Sequence, residues 1–191
     1  MVESLTSIFS AFGLSASAGL NAYLPLLIVA LTARYTDWFQ LSPPFDALKS
    51  PWAIGVLVVL LIVETVADKV PAVNHLNDLI QTVVRPTAGA VLFAASTHAI
   101  TQVHPVLMVV LGLLVAGTVH AAKSALVRPA VTATTGGVGN VPVSIAEDLT
   151  AAVVSVLAIV VPVFLSALIV VVAAFVIWWL WRRANRAAET R

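Results

Sequence analysis

The chain has 191 residues, 60% hydrophobic and only 10% charged, with a net charge of +1 and no cysteine. So few charges, against roughly 25% in an average soluble domain, cannot cover a water-soluble surface, and the mean hydropathy of +1.03 agrees. Thiol chemistry is excluded, the charge gives no sign of nucleic acid, and continuous apolar runs argue against a β-barrel.

What remains is an all-α polytopic membrane protein of about six transmembrane helices, some broken or re-entrant, in a single domain over residues 1–191. The N-terminal stretch has no basic residue before its apolar run, so it reads as mature sequence rather than a signal peptide.

The first segment, Ser4 to Tyr35, begins small and weakly polar and turns strongly apolar from Leu24. Gly13, Ser17 and Asn21 are four apart and share one helix face. That face suits either close helix packing or the lining of a pathway. Pro25 has no N–H and frees a carbonyl near Asn21, so a break is expected there. Residues 36–50 hold paired prolines and aromatics and read as an interfacial loop.

The second span opens at Pro51 and stays apolar until Glu64 and Asp68, which are neighbours on one face. Lys69 and Pro71 follow, then a short amphipathic surface turn over Ala72 to Thr82. The third span, about Val83 to Thr101, opens with Arg85-Pro86, and the fourth starts at Pro105 and carries His120 and Lys123. After Arg128-Pro129, residues 131–142 are rich in Gly, Thr and Asn, including Asn140. They suit a re-entrant segment lining a wet cavity.

The fifth span opens near Pro142, with Ser144 and Glu147 at capping-box spacing and Asp148 beside them. The sixth runs from Pro162 to Trp178, Trp179 and Trp181, before a run of arginines that marks a cytoplasmic exit. Lysine and arginine counts then place both termini in the cytoplasm. The hairpins 51–101 and 105–161 share Thr-Val, Lys and Val-Arg-Pro positions, as a parallel repeat would.

This topology gathers Glu64, Asp68, Lys69, Arg85, His120, Lys123, Arg128, Asn140, Glu147 and Asp148 at one depth as candidate binding residues. Gly13, Ser17 and Asn21 are candidate pathway-lining residues. Buried ionisable groups in a membrane are costly and mark function or pairing. Glu64 is expected to meet a base from another span, Lys123 or Arg128.

Several stretches carry a family resemblance: GLSASAGLNAYLPLL from Gly13, ETVADKVP from Glu64, VVRPTAG from Val83, AAKSALVRP, TTGGVGNVPVS, and AED ending at Asp148. Together they resemble a family of small bacterial integral-membrane proteins known as domain of unknown function 4126. The resemblance implies a multi-span protein and brings no catalytic residues. The intramembrane acids and Arg-Pro segments are also faintly similar to membrane proteins with re-entrant loops that move polyprenyl-phosphate or phospholipid carriers.

The leading expectation is a transporter or channel-like protein with a cytoplasm-facing polar vestibule for an anionic substrate or lipid headgroup. The alternatives are a scaffold or accessory subunit, and a proton or cation pathway through Glu64, Asp68, Glu147 and Asp148. No paired-histidine zinc motif, nucleophile elbow or phosphate loop is present, so no catalytic residue, metal or cofactor is expected. Expected partners are membrane lipids and a second copy of the chain, contacting through the small residues of spans one and four.

Overall fold

The computed structural model describes residues 2–41, 43–68, 71–97 and 104–189. Lys69 and His98 lie outside the described residues. The elements are α1 (Val2–Leu20), α2 (Tyr23–Tyr35), a 3-10 turn (Phe45–Lys49), α3 (Pro51–Ala67), α4 (Pro71–Ser96), α5 (Pro105–Ala122), a π-helical segment (Lys123–Val127), α6 (Arg128–Thr135) and α7 (Asn140–Glu189). No strand occurs among the described residues.

Within them, Asn77–Ser96, Pro105–Thr135 and Asn140–Phe164 are long and apolar enough to cross a membrane, and Thr6–Leu20, Tyr23–Tyr35 and Pro51–Ala67 are shorter apolar helices. Large apolar side chains such as Trp52, Val59, Leu114, Leu149 and Phe164 stand exposed on the outside. A membrane protein presents such a surface to lipid. The core is small-residue packing. α1 runs against α4, α5 and α7, and α4 against α5. The tightest crossing is α4 on α5, where a Cβ on Gly112 would lie 2.5 Å from the Gly89 carbonyl oxygen.

The first segment breaks at Asn21, as the proline predicts, but it does not cross the bundle. Thr6 of α1 and Trp38, just beyond α2, line one cavity with Ser96 and Pro162. Both arms therefore start and finish at the same end, and α1–α2 is a re-entrant hairpin with Asn21 at its buried tip. In the bundle, the start of α1 and the loop after α2 therefore lie at one end, where the sequence reading expected opposite sides of a membrane.

The re-entrant segment expected over 131–142 is instead the end of α6, a turn with left-handed Gly136 and Gly137, and the start of α7. The surface turn over Ala72 to Thr82 and the third span form one helix, α4, through Pro86, and the fifth and sixth spans are joined as α7 through Pro162. A proline inside a helix leaves the carbonyl four residues back without its donor. In α7 that carbonyl belongs to Ala158, and the Ser10 hydroxyl of α1 donates to it at 2.7 Å. Helix continuity at Pro162 is thus supported from a neighbouring helix.

Candidate charge cluster at the hairpin tip

α3 turns a narrow stripe inward, with Leu57, Glu64 and Asp68 its buried residues. α4 offers Asn77, Gln81 and Arg85 at intervals of four, so all three share a face. Arg85 is 0% exposed and Glu64 2%. Arg85 Nη2 donates to Glu64 Oε1 at 3.0 Å and lies 3.9 Å from Asp68 Oδ2. The base that meets Glu64 is therefore Arg85 rather than Lys123 or Arg128. Its proximity was hidden because helix spacing orders residues along one element but does not rank partners across elements.

His120 on α5 extends this pair. Arg85 Nη1 lies 3.2 Å from His120 Nδ1, and His120 Nε2 lies 3.2 Å from Thr82 Oγ1. A guanidinium only donates, so Nδ1 accepts and the ring proton sits on Nε2, where it meets the threonine oxygen. The Thr82 hydroxyl then donates to the Asp78 carbonyl at 2.8 Å. Arg85 thus donates both to Glu64 and to His120, and from it an ordered chain of donors leads through His120 and Thr82 to the backbone of α4.

The second half of the cluster is set by the π-helical segment. The Arg128 N–H bonds to the Lys123 carbonyl, five residues back. In an α-helix, residues five apart lie about 140° apart around the axis, at 3.6 residues per turn. The wider π turn brings Lys123 and Arg128 onto the same side, and both side chains are buried. Such bulges are frequent at functional sites. Glu147 Oε2 accepts from Lys123 Nζ at 2.7 Å and from Arg128 Nη2 at 3.1 Å. Arg128 Nη2 also reaches Asp68 Oδ2 at 3.3 Å, which joins the two halves.

Asp68 also accepts from Asn77 at 2.7 Å and from Ser144 at 3.2 Å. Ser144 and Glu147 thus face inward one turn into α7, which begins at Asn140, and do not form the expected capping box.

The hairpin tip closes the site. Lys123 Nζ donates to the Leu20 carbonyl at 3.2 Å, one of the unpaired carbonyls that end α1. Asn21 Oδ1 accepts from the backbone N–H groups of Tyr23 and Leu24 at 3.1 and 2.9 Å, which caps α2. Its amide donates to Asp148 Oδ1 at 2.9 Å. Gly13, Ser17 and Asn21 do share a face, and α7 occupies it. Gly13 abuts Ala158, Ser17 donates to the Ala151 carbonyl, and Asn21 holds Asp148. Asn140 stands apart from the cluster, paired with Thr132.

Among the described residues, the ion pairs of the cluster join three bases, Arg85, Lys123 and Arg128, and three carboxylates, Glu64, Asp68 and Glu147, drawn from α3 and its C-cap through to α7. Sequence reasoning missed Asn77, Gln81 and Ser144, although the spacing of Asn77, Gln81 and Arg85 was a usable signal.

Some donor and acceptor capacity is left over. Arg85 Nε, Glu64 Oε2 and Glu147 Oε1 are buried without a hydrogen-bond partner among the described residues. Along the helix axes the cluster lies about 20 Å from the end marked by Pro51, at 1.5 Å per residue.

No curated protein and no solved structure matches this chain. The family model described as a domain of unknown function (DUF4126) matches residues 8–183, which takes in the hairpin, the cluster and most of α7, and the chain belongs to that family.

Proposed function

We propose that this chain is a membrane transporter or channel-like protein in which the buried bases take an anionic substrate or lipid headgroup in exchange for the protein's own carboxylates. The observation that carries the reading is the position of Lys123 and Arg128. A π-helical bulge, an irregularity at a cost in helix regularity, turns both toward one carboxylate oxygen of Glu147 at the tip of a re-entrant hairpin. A cluster that served only to neutralise charge would not need this geometry. Apolar replacements of buried ion pairs are often as stable or more so.

In the state described here the internal carboxylates fill the sites on the bases. A substrate anion competes with Glu147 and Asp68, and release restores the internal pairs. The spare acceptor on Glu147 and the spare donor on Arg85 fit partners that can be exchanged. A structural scaffold is the competing reading, favoured by the matched count of three bases and three acids.

The test is flux. Purified protein in liposomes is assayed for movement of phosphate-bearing lipids, inorganic anions and cations. Arg128→Ala is expected to abolish anion or headgroup movement while Gly55→Ala, at an open surface position, leaves it intact. Cation movement alone, or no movement of any solute by the intact protein, contradicts the proposal.

A further inference from the structure

We infer that α3 is a lateral gate, and that the anion reaches the bases from within the bilayer as the phosphate monoester headgroup of an amphiphile. This rests on the exchange reading above and specifies its substrate class and route. α3 sits at the edge of the bundle, against α2 and, lightly, α4. Its outer face is apolar, with Trp52, Val56, Val59, Ile62, Val63 and Val66 exposed. Its inner stripe has one buried aliphatic, Leu57, beside the acids Glu64 and Asp68. The ties of its second half to the bundle are therefore largely ionic: Glu64 on Arg85, and Asp68 on Arg128, Asn77 and Ser144. An anion that replaces those two carboxylates releases the segment that carries them.

The charge balance selects the headgroup. With Glu64 and Asp68 withdrawn, Arg85, Lys123 and Arg128 are left among the described residues with Glu147 and the nearby Asp78, so the site stays net positive. Asp148 stays on Asn21. A phosphate monoester carries about −1.5 to −2 at pH 7 and offers three acceptor oxygens, which suits a site whose Arg85 Nε has no partner. Because the outer face of α3 is apolar, displacing it opens the cluster sideways onto acyl chains. The phosphate thus arrives attached to an apolar tail, and its uncharged tail lies where α3 had packed.

The chain has no cysteine, so introduced ones carry labels uniquely. Spin labels at Val63→Cys and Leu114→Cys, both on exposed apolar positions, report the α3 to α5 separation in phosphatidylcholine nanodiscs. Phosphatidic acid is expected to bind and to add a second, longer distance population, whereas water-soluble glycerol phosphate and uncharged diacylglycerol add none. Phosphatidic acid that binds without the longer population overturns the gate and leaves the anion site standing. Glycerol phosphate that binds and shifts the distance as fully as the lipid overturns delivery from the bilayer. Failure of every phosphate compound to bind overturns this inference and leaves the exchange reading to the flux assay with other anions.

Discussion

Arg85 is the residue around which the first half of the cluster is built. It is fully buried, holds Glu64 at 3.0 Å, and fixes the His120 tautomer from the other side of its guanidinium. Arg85→Met leaves Glu64 as an uncompensated buried carboxylate, and breaking a buried pair in that way costs about 3–5 kcal/mol. Adding Glu64→Gln is expected to recover most of the loss, because both charges are then gone. Unfolding of the two single variants and the double variant in detergent micelles checks this. A double variant no more stable than Arg85→Met would show that the pair is not coupled.

The identity of the partner was not legible because helix spacing orders residues along one element and does not rank bases on different elements. That Glu64 would be buried and paired was legible, since an acid deep in an apolar span has few other ways to be accommodated.

At the level of elements, the irregular positions decide the site. Inserting one alanine after Leu126 places Lys123 and Arg128 six residues apart, about 120° from each other around an α-helix at 3.6 residues per turn. The insertion should therefore reproduce the loss of anion binding caused by Arg128→Ala, and unchanged binding would remove the role given to the alignment of the two bases. The α4–α5 crossing makes a separate prediction. A methyl at Gly112 meets the Gly89 carbonyl and the Ala90 backbone, so Gly112→Ala should destabilise by about 1–3 kcal/mol, the range for overpacking. A melting temperature no lower than wild type would show that the crossing is looser than described.

The all-helical class and the break at Asn21 were readable because the apolar runs and Pro25 are local signals. The continuity of α7 through Pro162 was not readable, because the compensating donor, Ser10, lies on α1. Nor was the π turn, which no residue between Lys123 and Val127 announces.

For the whole molecule, the hairpin changes the topology more than any single contact does. Since Thr6 and Trp38 meet at one cavity, reporter fusions at the N-terminus and after Lys49 should give the same side of the membrane, and opposite sides would contradict a re-entrant α1–α2. The class of the protein was evident from composition, and the charged residues that gather were evident from span order. The closure of that cluster into three bases and three acids was not, because it depends on how five helices pack.

The account stands or falls on competition between the internal carboxylates and a bound anion, and phosphatidic acid binding to Glu147→Gln in nanodiscs tests this directly. Glu147 occupies Lys123 and Arg128, and hydrogen bonds to charged groups are worth about 1.5–3 kcal/mol. Removing its charge is therefore expected to tighten binding by about 10- to 100-fold, at a tenfold change per 1.4 kcal/mol. Affinity that stays the same or falls in a folded Glu147→Gln protein would contradict the account.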